Sequence, residues 1–459
     1  MTRPIQRSSI AVCLLASVAL GRSATAQVVP QSAATAPATA APLPSSAIPA
    51  TAAGAALREW LDAFNAGDSA RVVAFFRSYN DDAPPDGMMG FRRNTGGFDL
   101  LSIQRSEPRQ IEFFVRERKG PTTAVGSLEL PESGPRKLIG PMLQALGPNV
   151  ALSSLKIDAA ERARVVAGAA AQLDSFYVIP DVARRMGDSA RAHLARGDYD
   201  RYDSGMSFAR RLTDDFATVA HDKHLSVRYL PRARPAQPEG KGGPTPDEIA
   251  RERREREEEN CFFQKVERLE GNVGYLRFDA FADADICAPT VAAAMSFLAG
   301  TRALFFDVRQ NGGGQPKMVA LVSSYLFDKR THLNDLWTRR TDSTEQFWTR
   351  DSVAGRRFGG AKPVFVLTSS RTFSGAEEFS YNLKTLKRAT IVGETTGGGA
   401  HPVRGRTIDD HFLIGVPFAR AINPVTKTNW EGVGVEPDVK VPAADALSAA
   451  LKMVGPAKP

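Results

Sequence analysis

From residue 261 onward the chain alternates short apolar runs with amphipathic helical segments, and that rhythm confines it to an α/β core. Val273 to Phe278, Ala303 to Val308, Pro363 to Thr368 and Thr390 to Gly393 are runs of buried-strand type. Pro316 to Phe327 and Ala376 to Arg388 read as helices among them. A strand that is apolar on both faces must be covered on both, which is the arrangement of a parallel sheet flanked by helices. Chemistry is then expected in the loops where these strands end.

A length of 459 residues exceeds what a single core supports, so two or three domains are expected. Residues 1–26 have the pattern of a secretory signal peptide: Arg3 and Arg7 are basic, Ile10 to Leu20 is apolar, and Ala24-Thr25-Ala26 is a small-residue cleavage site. The apolar stretch is too short to span a bilayer comfortably. Cys13 lies inside it, not at its end, which argues against a lipid anchor. The protein is expected to be exported, periplasmic or secreted, with no membrane span. Residues 27–55, largely Ala, Pro, Ser and Thr, read as a linker.

Residues 56–150 are expected to form a small α+β domain. Leu57, Trp60, Leu61 and Phe64 share one helix face, Val72, Val73, Phe75 and Phe76 continue the pattern, and Gln110 to Arg116 and Thr122 to Leu130 are β-type runs. A helical hairpin followed by a curved sheet resembles the cone-shaped fold of the nuclear-transport-factor-2 type. Residues 155–230 read as a helical subdomain and 231–260 as a charged linker. Within that linker, Asp247 to Glu259 mixes signs at i, i+4, as a solvated helix does. The core is placed at residues 261–445.

The formal net charge of +8 falls by three when Arg3, Arg7 and Arg22 leave with the signal. The remaining bases are spread along the chain without an aromatic-interleaved basic block, so no nucleic-acid partner is expected. Cys261 and Cys287 remain; they could pair in an oxidising compartment or stay as buried thiols. No Cys/His spacing of zinc-site type occurs, and neither metal nor organic cofactor is expected. The oligomeric state is left open, a homo-oligomer included.

Three glycine-flanked windows carry the chemistry. In Thr368-Ser369-Ser370-Arg371-Thr372-Phe373-Ser374-Gly375-Ala376-Glu377-Glu378 a strand ends and a helix begins. A serine there has its hydroxyl near a helix N-terminus, where N–H groups and the dipole favour developing negative charge. Taken alone, Ser374 reads more readily as a helix cap than as a nucleophile. Asp307-Val308-Arg309-Gln310-Asn311-Gly312-Gly313-Gly314 closes another strand, and such a turn can present consecutive N–H groups to an oxyanion. It is otherwise a tight turn or a phosphate loop, although it lacks the Lys-Ser/Thr ending of the latter. A serine nucleophile needs a base. Among His193, His221, His224, His332, His401 and His411, spacing does not choose between His224 and His401.

These two windows, with Gly393-Glu394-Thr395-Thr396-Gly397-Gly398-Gly399-Ala400-His401-Pro402, resemble the tail-specific, or C-terminal-processing, serine peptidase family. The likeness is to the branch with the tricorn core and interphotoreceptor retinoid-binding protein, over about residues 160 to 442. It implies a crotonase-like ββα core, a polypeptide substrate, Ser374 as nucleophile and His224 as base. Glu431 would complete the polar chain, with Gly375 and Gly313 at the oxyanion hole. Many relatives instead use a Ser-Lys dyad, but Gly398 and Gly399 stand where that lysine would be, and Lys384 and Lys387 read as solvent-facing. No PDZ-type segment is apparent. The alternative within the resemblance is a non-catalytic binder of apolar small molecules on the same scaffold.

Overall fold

The computed structural model describes residues 41–80, 88–131, 137–148, 155–234 and 245–455. The expected signal peptide, and residues 27–40 of the expected linker, lie outside the described residues. The chain divides into two compact units, 1–154 and 155–459.

In the first unit, α1 (Ala52–Ala66), α2 (Ser69–Asn80) and α3 (Met88–Thr95) precede β1 (Phe98–Ser106), β2 (Gln110–Glu117), β3 (Thr122–Glu129) and β4 (Ile139–Pro148). The strands form one antiparallel sheet in chain order. Leu57, Trp60 and Phe64 of α1 are buried against Phe98 and Phe113 of that sheet. Order begins before residue 56, contrary to the linker expected over 27–55: Ile48 is buried, and the Leu43 N–H donates to the Leu100 carbonyl at 2.7 Å. The Thr51 hydroxyl accepts from the Gly54 N–H at 3.0 Å and caps α1. An Ala-rich stretch has no face that periodicity can detect, yet alanine propagates a helix readily once it is capped.

The second unit opens with α4 (Ala159–Phe176), α5 (Pro180–Ala195) and α6 (Gly205–Ala220), then β5 (Ser226–Tyr229). Next comes α7 (Pro246–Glu258), which buries none of its side chains, as expected of a solvated charged helix. The core follows as β6 (Phe263–Leu269), β7 (Val273–Phe278), α8 (Ala284–Leu298), β8 (Ala303–Asp307), α9 (Pro316–Ser324), β9 (His332–Thr338) and β10 (Ser343–Trp348). It continues as β11 (Val364–Thr368), α10 (Gly375–Thr385), β12 (Thr390–Gly393), β13 (Val403–Thr407), β14 (Phe412–Pro417), β15 (Ala419–Ile422), β16 (Val439–Lys440) and α11 (Ala446–Val454).

Six strands lie in the order β16-β12-β11-β8-β7-β6, parallel except where β6 meets β7. Leu304, Phe306, Val364, Val366 and Ile391 pack toward α8, α9 and α10, while Phe305, Phe365 and Val392 pack toward α11. Alternate residues thus meet different layers, and this two-sided covering is why the strands are apolar throughout. A disulfide joins Cys261, in the turn before β6, to Cys287 of α8. β5 leaves the helical region to pair with β14, Phe412 opposite Tyr229 and Gly415 opposite Ser226. That pairing carries the segment before β5 to the main sheet's neighbourhood. The fold is mixed α/β.

Candidate active site

β8, β11 and β12 are adjacent and parallel, with Leu367 level with Asp307 and Thr368 level with Gly393. Their following loops therefore emerge at one edge. Side chains and amides stitch them together. Thr372 Oγ1 donates to the Val308 carbonyl at 2.8 Å and Ser369 Oγ to that of Arg309 at 2.5 Å. The Phe373 N–H reaches the Asn311 carbonyl at 3.1 Å, and the Gly397 N–H reaches that of Thr372 at 2.9 Å.

Ser374 ends this stitched loop just before α10, half-buried, with φ 53° and ψ −119°. A non-glycine residue in that region is strained, and such strain collects where a side chain must be presented at a fixed angle. Against it lies the glycine turn. A Cβ on Gly313, whose φ is +100°, would come within 2.7 Å of the Ser374 Cβ and 2.6 Å of the Gly375 nitrogen. Only glycine permits this approach.

The turn's amides alter one expectation. The Gly313 N–H donates to Asn311 Oδ1 at 2.8 Å and is thereby committed inside the turn. The neighbouring Gly314 nitrogen sits 2.9 Å from where a Gly375 Cβ would be. Neither the Gly314 nor the Gly375 N–H has an acceptor among the described residues. The available pair of donors is thus Gly314 with Gly375; Gly313, expected from its place in the run, makes the close approach possible. Three successive glycines look alike in sequence, and only the Asn311 side chain distinguishes them.

His224 stands between α6 and β5. Its ring packs on Phe373, the residue before Ser374, with centroids 4.6 Å apart. The Lys223 ammonium donates to the Gly397 carbonyl at 2.5 Å and ties this segment to the glycine run. A Cβ on Gly399 would come within 2.7 Å of His224 Cε1 and 2.3 Å of Phe373 Cζ. The absence of a side chain at Gly399 is therefore the room that the imidazole needs. No hydrogen bond joins Ser374 to His224 among the described residues; such bonds commonly tighten only when substrate is held.

Behind His224 lies a buried polar cluster that sequence reasoning largely missed. Asp222 accepts from the His224 backbone N–H at 3.0 Å, from the Tyr177 hydroxyl at 3.3 Å and from His401 Nδ1 at 2.8 Å. His401 Nδ1 is also 3.6 Å from Glu431 Oε2, which accepts from the Ala400 N–H at 2.5 Å. Glu431 is held in place because Trp430 Nε1 donates to the Gly399 carbonyl at 2.8 Å. His401 thus pairs with carboxylates, while His224 packs beside the serine loop. The remaining histidines serve elsewhere: His193 pairs with Asp198, His332 with Asp335, His411 with the Leu230 carbonyl, and His221 ends α6.

Burial pushes the His224 imidazole below its ordinary range, helped by His401 and opposed by Asp222. Burial works against the charged form of His401 as well, but Asp222 and Glu431 outweigh it and raise that group. Burial, with Asp222 nearby, pushes Glu431 up to about 7. His224 is consequently neutral near pH 7 and able to take a proton. Asp222, His224 and Glu431 are also the one group of metal-ligand types close together among the described residues.

Glu377 is the other residue that sequence reasoning passed over. Fully buried, it accepts from the Ser374 N–H at 2.9 Å, the Gly399 N–H at 2.8 Å, the Gly398 N–H at 2.6 Å and the Thr396 hydroxyl at 2.5 Å. The Ser-x-x-Glu spacing of a capping box was a signal that could have found it.

Residues 272–441 match peptidase family S41, and residues 144–263 match the N-terminal domain of peptidase S41 in eukaryotic IRBP. The chain is 28% identical over 170 residues to the chloroplastic C-terminal processing peptidase of Tetradesmus obliquus, covering 37% of this chain and 35% of that one. It is 28% identical over 139 residues to the tricorn protease homolog 2 of Streptomyces coelicolor, covering 30% of this chain and 11% of that one. The chain thus spans about a third of one curated relative and about a tenth of the other. Among solved structures, the tricorn protease aligns over 80% of this chain and 43% of its own, with 14% identity and a TM-score of 0.41. The two matches run in order, an S41 N-terminal domain followed by a peptidase S41 domain, through the unit that holds Ser374 and His224.

Proposed function

We propose that the protein is an exported serine endopeptidase that cleaves polypeptides through an acyl-enzyme. The observation that carries this is the convergence of a strained serine, two uncommitted N–H groups and a neutral buried imidazole. Ser374 Oγ attacks the peptide carbonyl carbon as His224 takes its proton. The C–O bond forms, and the negative charge on the former carbonyl oxygen is met by the Gly375 and Gly314 N–H groups. The protonated imidazole then gives its proton to the leaving nitrogen as the C–N bond breaks, and water releases the acyl group by the same steps in reverse. Asp222 and Glu431 stabilise the imidazolium that forms in between.

Export rests on the sequence of residues 1–26 and on the Cys261–Cys287 disulfide, which belongs to an oxidising compartment. The experiment is labelling of the full chain with a fluorophosphonate probe, together with hydrolysis of an unfolded protein such as reduced casein. Labelling and hydrolysis are expected in the parent and absent in Ser374→Ala. Full activity in that variant would remove the assignment, and an unlabelled, inactive parent would favour the small-molecule binder.

A further inference from the structure

We propose that Asp222, His224, His401 and Glu431 form a site for a divalent transition-metal ion of the zinc class, whose binding silences the peptidase. The silencing rests on the serine-peptidase reading; the binding does not.

Two imidazoles and two carboxylates converge here. A ring nitrogen of His224 and one oxygen each of Asp222 and Glu431 lie within 4.8 Å of one another. His401 Nδ1 is 2.8 Å from Asp222 Oδ2 and 3.6 Å from Glu431 Oε2. In the form that takes a cation, with both imidazoles neutral and both carboxylates ionised, the set carries two negative charges, and no lysine or arginine forms an ion pair with either carboxylate among the described residues. Two further atoms point to a missing positive partner. His224 Nδ1 and Glu431 Oε1 are both buried and have no hydrogen-bond partner, a condition that native interiors seldom leave unanswered.

The donor set selects the ion. Imidazole nitrogen with carboxylate oxygen suits zinc, which takes four ligands at about 2.0–2.2 Å, whereas magnesium and calcium take oxygen ligands. Tetrahedral bonds of that length put ligand atoms about 3.3 Å apart, so Asp222, His224 and Glu431, within 4.8 Å of one another, must close by up to roughly 1.5 Å. The carboxylates are already oriented by outer partners: Tyr177 and the His224 N–H on Asp222, and the Ala400 N–H on Glu431. A neutral imidazole has a single lone pair. Whichever nitrogen of His224 takes the metal, none remains to accept the Ser374 proton.

The test uses the full chain, ZnCl2 and equilibrium dialysis with metal analysis, alongside fluorophosphonate labelling. One zinc per chain is expected in the parent and in Ser374→Ala. Asp222→Asn and Glu431→Gln should each weaken binding at least about tenfold, and MgCl2 should not bind. Zinc should block labelling of the parent, and EDTA should restore it. Substoichiometric zinc on Ser374→Ala would overturn the proposal, and so would unchanged affinity in the carboxamide variants. Far-UV circular dichroism identifies a variant that fails to fold, in which case the other decides. Uptake without loss of labelling would overturn the silencing. A parent that is never labelled removes the peptidase reading instead, and zinc stoichiometry still decides the site.

Discussion

Glu377 gathers the backbone N–H of the candidate nucleophile and those of two glycines beside the candidate base on one carboxylate. Each of its oxygens accepts two hydrogen bonds, so it functions only as an acceptor. Glutamine in its place would turn an amide donor toward N–H groups that also donate. Burying such a mismatch costs on the order of 2–3 kcal/mol, and here the cost falls on the spacing between Ser374 and His224. Glu377→Gln is therefore expected to lower kcat/KM about 10²-fold. The loss should appear in kcat and in the fluorophosphonate labelling rate, with KM little changed. A variant with parental kcat would show that the carboxylate has no part in holding the site. At this scale the serine stood out in the sequence because glycines and a strand end surround it, and His224 through the family resemblance. The pairing of Asp222 with His401 did not, because the two residues meet across 179 positions and no local pattern joins them.

Of the elements, α10 combines a presented serine with a buried carboxyl one turn on. The Glu378 N–H donates to the Ser374 carbonyl at 2.9 Å, while its side chain is buried and Oε1 has no hydrogen-bond partner. Burial pushes this carboxyl up to about 7, against the opposing effect of the Asn334 and Asn382 amides. Because the folded-state value is raised above the unfolded one, the protein binds more protons folded than unfolded between about pH 4.5 and 7. Glu378 therefore takes stability away as pH rises through that window, by about 3 kcal/mol in total. Glu378→Gln does not titrate. Its stability relative to the parent should rise by roughly that amount from pH 5 to pH 8, measured by guanidinium unfolding. A difference equal at both pH values would contradict the raised carboxyl. The sequence placed this helix correctly through its apolar face, as it placed the core strands through their two-sided covering. The start of α1 escaped it, because alanines leave no periodic trace and the cap is a single threonine.

Considered whole, the molecule keeps every residue of the candidate site within residues 155–459. Ser374, Gly375 and Gly314 come from the main sheet's edge, His224 and Asp222 from the segment before β5, and Glu431 from the turn before β16. The β5–β14 pairing and the bond from Lys223 to Gly397 hold the helical region and the core as one body. Cys261 and Cys287 lie in the same unit and close a loop of 26 residues, which restricts the unfolded chain by about 3 kcal/mol. The first unit has its own aromatic core around Trp60, Phe64 and Phe98, and none of the site residues named above belongs to it. A chain lacking residues 27–154 but retaining its first 26 residues is therefore expected to fold, to form the disulfide, and to be labelled at Ser374 at the full chain's rate. Hydrolysis of a short peptide should be equally unchanged. Slower labelling of a folded, oxidised truncation would mean that the first unit shapes the site. Slower hydrolysis of long polypeptides alone would instead assign it to holding substrate, since a small probe needs only the serine, its base and the two N–H groups.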